Sequence, residues 1–317
     1  MRIKLNVYLI FKIISVISIF FLSLIISQYY VGGDQIAYNR SYDGIKGLDV
    51  FSGYIYYAAS TGALEPVYFL FTWILSNIGI EKYIFIAFSN SVLAYVVISL
   101  LQKLRVRLII IVSIVFTNFY FIVLYFSDER LKFGILFLLI SILVYPNMKK
   151  SLWMSFLALM THMQTLAIYA SLLFSRIYYD VEKLFLERKI SKNLLYIIII
   201  FSIPVLILQR HIIHKLDSFA GTSFGMEDLF KSFLFFVMAM FYSKNKKETI
   251  LIFIPLFVMI LFVGGTRLNM FSYFIFLYYA LQIKRGLNMG IFISSLYFAY
   301  KGLDFINNII LYGTGFN

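Results

Sequence analysis

Leu152-Trp-Met-Ser-Phe-Leu-Ala-Leu-Met-Thr161-His162-Met163-Gln164-Thr-Leu-Ala-Ile-Tyr-Ala-Ser-Leu-Leu-Phe174 would pass for one ordinary membrane span were it not for its centre. Ionisable and amide side chains at hydrocarbon depth cost on the order of a few kcal/mol unless they face protein or water, which makes an intramembrane histidine a functional candidate. The flanks decide how the stretch runs. Lys149 and Lys150 precede it, and Arg176, Lys183, Arg188, Lys189 and Lys192 follow it. Because Lys and Arg favour the cytoplasmic side, a single crossing would leave one basic flank outside. Two short arms meeting at 161–164 keep both flanks inside. Irregular backbone at that depth is tolerated where it lines a cavity or is buried in protein. The pattern therefore predicts a re-entrant element over about 150–176, its tip toward the outer face.

The composition is 62% hydrophobic and only 14% charged, with the apolar residues in long blocks rather than alternating ones. This predicts an all-α polytopic integral membrane protein of about 10 transmembrane or re-entrant helices, one membrane domain over 1–317 with no soluble domain. The short alternating segments of a β-barrel are missing from the sequence. There is no cysteine, which excludes a disulfide framework and a thiolate centre, and three histidines leave little for a His-rich metal site.

Arg2, Lys4 and Lys12 place the N-terminus in the cytoplasm, and the first span, 5–27, is too long and lacks the small-residue site of a cleaved signal. Residues 28–65 read as an external loop. The apolar piece 66–80, opened by Glu65-Pro66, is shorter than the ~20 residues a crossing needs and reads as re-entrant. Spans follow at 83–101, 108–126, 133–145, 194–208, 233–242, 250–263, 268–281 and 290–300, with a second external loop over about 209–231. This arrangement places 18 of the 28 Lys and Arg, but only 4 of the 15 acids, on the cytoplasmic side. The net charge of +13 is thus a topology signal and not a sign of nucleic-acid binding.

All three histidines, and the polar residues Asp34, Glu65, Asp128, Glu129, Arg130, His162, Gln164, Arg210, His211 and Arg267, then fall at the outer face. Arginines in short turns suit a phosphate or pyrophosphate, since the guanidinium fork donates two parallel charge-assisted bonds. A carboxylate or a neutral histidine nearby can take a proton from a hydroxyl. The plainer alternatives are a solvated turn charge at Arg130, a snorkelling Arg267, an interfacial Arg210, and capping roles for Asp34 and Glu65. Tyr29, Tyr30, Tyr54, Tyr56 and Tyr57 read as an interfacial aromatic belt.

Asp34-x-x-x-Tyr38, Glu65-Pro66-x-Tyr68, Arg130 at the head of a span, His162 in an apolar hairpin and Gly264-Gly265-x-Arg267, in that order, resemble the EpsG-type branch of the Wzy polysaccharide polymerases. Leu131 and Gln164 stand where members of that family commonly carry an amide and a hydroxyl residue. The resemblance implies a glycosyltransferase that joins undecaprenyl-pyrophosphate-linked oligosaccharide repeat units of O-antigen, capsule or exopolysaccharide. It implies work at the outer face of the bacterial cytoplasmic membrane, without metal or other cofactor, alongside a flippase and a chain-length regulator. On that reading Arg130, Arg267 and Arg210 hold the departing pyrophosphate, and Tyr38, Tyr68 and Gln164 contact sugar. His162 is the first choice of base, and Glu65 or Asp34 the second. The competing readings are a transporter or flippase of lipid-linked sugar, which needs polar groups open to both faces, and a membrane acyltransferase that modifies surface glycans.

Overall fold

The computed structural model describes residues 7–187, 226–265 and 267–316, with isolated helical positions between 202 and 213. Among these the chain is helical throughout. The helices are α1 (Val7–Ile26), α2 (Asp34–Gly44), α3 (Val50–Thr61), α4 (Pro66–Asn77), α5 (Lys82–Lys103), α6 (Leu108–Thr117), α7 (Phe119–Phe126), α8 (Glu129–Val144), α9 (Met148–Thr161) and α10 (Thr165–Glu187). After them come α11 (Met226–Tyr242), α12 (Lys246–Val263), α13 (Leu268–Gln282) and α14 (Met289–Tyr312). Most of the expected span 194–208 and of the loop 209–231, with Arg210, His211 and His214, lie outside the described residues.

Among the described residues two helices, Val7–Ile26 and Lys82–Lys103, are long and apolar enough to cross a membrane, or three if α6 and α7 count as one bent span. α1 is apolar over most of its surface, with Ile14, Phe21 and Ile25 outward, and the face that carries Ser15 and Ser23 packs on α5. There Asn90 donates to Ser23 Oγ at 3.0 Å and Ser91 donates to the Val16 carbonyl at 3.2 Å. Such bonds hold helices together where apolar burial cannot, because lipid is as apolar as the partner helix.

The stretch 108–126, expected as one straight span, is broken at Asn118, with α6 and α7 bent by 46°. The side chain of Asn118 causes and stabilises the break: Oδ1 accepts from Tyr120 N at 3.1 Å and Nδ2 donates to Tyr273 Oη at 2.7 Å. Gly302 of α14 presses into this break, where any Cβ would collide with the Thr117 carbonyl. The last helix also differs from expectation, continuing past residue 300 to Tyr312 before Gly313 ends it in a left-handed turn.

The turns gather at two ends of the bundle. At the upper end, Val31 N and Gly32 N both donate to the Gly313 carbonyl (3.1 and 2.8 Å), and Lys82 Nζ reaches Gln35 Oε1 at 2.7 Å. At the lower end, Arg107 N donates to the Arg285 carbonyl at 3.1 Å, Arg285 Nε to the Arg105 carbonyl at 2.9 Å, and Lys103 Nζ to the Leu143 carbonyl at 3.3 Å. α9 rises from that lower end. α10 returns to it, where Lys247 lies 4.5 Å from the ring of Tyr178. The chain therefore reverses at 162–164. α9 packs mainly on α8, whereas α10 packs mainly on α12.

Over the upper end, α2, α3 and α4 form a small cap. Tyr42 Oη donates to the Ile80 carbonyl at 2.8 Å, Ser76 Oγ to the Tyr42 carbonyl at 2.7 Å, and Gly47 N to Asn77 Oδ1 at 2.8 Å. These bonds tie the C-terminal end of α4 to α2 and the turn after it, and just before its start the Leu64 carbonyl accepts from Tyr54 Oη of α3 at 2.7 Å.

Candidate functional site

The start of α8 sets the site. Its first turn follows the buried pair Ser127-Asp128, so Asp128, Glu129, Arg130 and Lys132 leave one short segment toward different partners. A carboxylate in a helix's first turn is favoured by the exposed N–H groups there.

Arg130 reaches across to the cap. Its Nη1 lies 3.0 Å from Glu65 Oε2, and its Nε donates to Tyr38 Oη at 3.1 Å. Burial pushes the Tyr38 hydroxyl up to about 12 against the pull of Arg130, so the phenol meets the guanidinium as a neutral acceptor. Glu65 precedes Pro66 and occupies the N-cap position of α4, yet its side chain makes no capping bond. Instead Oε2 faces Arg130 and Oε1 lies 3.3 Å from His162 Nδ1. Glu65 and His162 are buried, Glu65 to 1% exposure, and Arg130 is largely so.

His162 owes its place to the break between α9 and α10. It ends α9 with extended backbone, its N–H still donating to the Ala158 carbonyl at 3.2 Å, while the Thr165 hydroxyl is shared between the carbonyls of His162 and Ala158 (2.6 and 3.1 Å). Gly134 of α8 makes room for this crossing. A Cβ there would run into the Thr165 methyl and crowd His162 Cβ. The other ring nitrogen, Nε2, is 3.2 Å from Gln164 Oε1. If Nδ1–H is given to Glu65, Nε2 keeps a lone pair, and a half-turn of the Gln164 amide offers it an N–H donor.

Arg267 forms the second half of the upper cluster. It follows Gly264, whose φ of 87° a side chain would strain, and Gly265, whose missing Cβ admits the Asp228 side chain. Its Nη2 lies 2.9 Å from Asp128 Oδ1 and 3.4 Å from Asp34 Oδ2. Burial pushes the Asp128 carboxyl up, and Arg267, then His162, act against it. Asp128 is thus the link between the two halves.

Of the residues expected at the site, Glu65, Arg130, His162, Gln164 and Tyr38 come together, and Asp34 and Arg267 stand beside them around Asp128. Tyr68 turns elsewhere. It is buried and donates to Glu129 Oε2, and Lys82 Nζ lies 2.9 Å from the other oxygen of that carboxylate. Lys132, fully buried one turn deeper, donates to Asn90 Oδ1 at 2.7 Å. Lys82 and Lys132 were not among the expected site residues, and Asp128, expected only as one of the outer-face polar residues, had been given no role. Their signal was the run of ionisable residues over 128–132 between two apolar spans, together with the lysine that opens α5.

Among the described residues, no group of three or more His, Cys, Asp or Glu is arranged to hold a metal ion. The chain matches no family model, no curated protein and no solved structure.

Proposed function

We propose that this chain is a polytopic membrane glycosyltransferase that joins lipid-pyrophosphate-linked oligosaccharide units at the outer face of a bacterial cytoplasmic membrane. The upper end of the bundle is the outer side on this reading, with α4 and the α9–α10 reversal re-entrant elements that reach it from opposite sides. The observation that carries the proposal is the buried Glu65 carboxylate held between Arg130 and His162, with the half-exposed Arg267 at its edge.

Glu65 orients the imidazole and favours the tautomer with its proton on Nδ1, so Nε2 is the base. An incoming sugar hydroxyl replaces Gln164 at Nε2 and gives up its proton there. Its oxygen forms the new glycosidic bond at the anomeric carbon as the bond from that carbon to the lipid pyrophosphate breaks. The departing pyrophosphate needs positive charge in a dry site. Arg267, 33% exposed, is the arginine placed to meet it, whereas Arg130, 13% exposed and tied to Glu65 and Tyr38, serves to position the base. Displacement of this kind inverts the anomeric centre.

The test is to give purified protein in vesicles a lipid-pyrophosphate-linked repeat unit and to separate the products by size. A ladder of longer glycans supports the proposal. Movement of the unextended substrate across the vesicle membrane without a ladder contradicts it and favours a transporter.

A further inference from the structure

Among the described residues, every non-glycine residue with left-handed backbone is cationic, and all of them lie at the lower end: Arg105 (φ 57°), Lys284 (φ 48°) and Arg285 (φ 58°). Glycine or asparagine fills such positions readily, whereas most other side chains bring Cβ against the following carbonyl. The two turns that carry these residues clasp each other. Arg107 N donates to the Arg285 carbonyl at 3.1 Å, and Arg285 Nε donates to the Arg105 carbonyl at 2.9 Å. Arg105, Arg107, Lys284 and Arg285 are all exposed, and none forms an ion pair with a described residue. The positive-inside bias asks only for charge at that end, which a basic residue on any loop supplies. It does not ask for strained backbone at the cations themselves. Strain of this kind gathers at ligand clamps.

Beside the clasp, a cleft of about 650 Å³ opens between the end of α11, the 283–288 turn and the start of α14. Ile110, Phe241, Leu287, Met289 and Phe292 make its walls apolar, and Lys284 stands on its lining. Phe241 is 82% exposed and Met289 69%, so the cleft is open to whatever surrounds the bundle. Gly286 lets the turn settle against Val106 and Ile110, where an added Cβ would be 3.4 Å from each side chain. The cations are thereby held at the edge of an apolar cleft.

We propose that this cleft seats a diacyl phospholipid with a net negative headgroup, its phosphate against Arg285 and Lys284 and the start of an acyl chain along Phe241, Met289 and Phe292. Arg285 uses Nε within the protein, which leaves the two Nη groups as a fork for phosphate oxygens. A zwitterionic lipid brings its own cation to a cluster that already has four, and a free phosphate makes no use of the apolar walls. The site lies at the opposite end of the bundle from Glu65 and His162, so the inference stands apart from the proposed reaction.

The chain has no cysteine, so single ones can be introduced as reporters. Met289→Cys, and at the same end Trp153→Cys beside Lys149 and Lys150, are made in the full chain, labelled with bimane and reconstituted in phosphatidylcholine vesicles. Phosphatidylglycerol or phosphatidylcholine with brominated acyl chains is then mixed in as quencher. The preference for the anionic quencher at 153 measures attraction to a basic surface alone. The preference at 289 should exceed it about tenfold, within what two further basic residues supply. Arg105→Asn combined with Arg285→Asn removes two charges and suits left-handed backbone. In that variant the preference at 289 should fall to that at 153, and phosphatidylglycerol in detergent micelles should raise the unfolding temperature of the parent but not of the variant. Lys284→Asn, one charge fewer, should give an intermediate preference and decides the matter if the double variant does not fold. Equal preferences at 289 and 153, or variants that keep the parent's preference, would overturn the inference. So would loss of the preference to millimolar inorganic phosphate, or equal competition by soluble polyglutamate, which would make the cleft a docking site for an acidic protein.

Discussion

Glu65 and Arg130, 65 positions apart in the chain, form a buried ion pair with Oε2 and Nη1 3.0 Å apart. The pair joins the cap of short helices to the head of α8, and the other oxygen of the same carboxylate lies 3.3 Å from His162 Nδ1. Position and charge are thus fixed by one residue. Its removal should be felt in both stability and activity.

Glu65→Gln keeps the shape and one acceptor but leaves the Arg130 guanidinium buried without its counter-charge. Breaking one side of a buried pair costs about 3–5 kcal/mol. The variant should unfold at a clearly lower temperature in detergent and lose at least about a hundredfold in polymer formation, within the range general-base catalysis supplies. A stable variant of full activity would show that the pair is incidental.

Arg130→Lys preserves charge and should still fail. One guanidinium serves Tyr38 through Nε and Glu65 through Nη1 at once, and an ammonium group cannot reproduce that planar fork. Most of the activity should disappear while the protein remains folded by circular dichroism. Retention of wild-type rates would take Arg130 out of the site.

Gly134→Ala tests how closely α8 and the α9–α10 break must approach. The added Cβ meets the Thr165 methyl, so the variant should shift His162 and reduce activity, since overpacking a tight contact costs about 1–3 kcal/mol. Thr165→Ser removes that methyl but retains the hydroxyl bonded to the His162 carbonyl. The double variant should therefore recover activity relative to Gly134→Ala alone. No recovery would place the cause elsewhere.

Much of the upper cluster could be read from sequence because charge stands out against apolar surroundings. Arg130, Glu65 and His162 could not be left in lipid, and positive-inside bookkeeping sent them to one face. What sequence could not supply was the choice of partners. Tyr68, expected beside sugar, is committed to Glu129, and Arg267, expected at a departing pyrophosphate, is paired with Asp128. The break at Asn118 was hidden for a different reason: neither Pro nor Gly marks it, and one of the two bonds that hold it is to Tyr273, 155 residues away. Gly134 looked like any small residue in a span until the neighbouring break showed what a Cβ would strike.

Asp128 gives a prediction in pH. It lies in the turn between α7 and α8, where burial raises its carboxyl above the ordinary range and Arg267 is the largest opposing influence. A carboxyl raised on folding adds stability at acid pH that is lost as pH climbs through its folded value. Arg267→Gln removes the opposition and raises it further. The stability gap between the variant and wild type should therefore widen from acid to neutral pH, by about 1.4 kcal/mol for each tenfold change in proton affinity. Parallel pH profiles would show that Asp128 does not depend on Arg267.

The most direct test of the account is a double-mutant comparison of polymer formation in wild type, Glu65→Gln, His162→Gln and the double variant. If Glu65 works by holding His162 as the base, the two act as one unit, and the double variant should be no slower than His162→Gln alone. Losses that multiply, or a His162→Gln protein that builds polymer at the wild-type rate, would contradict it.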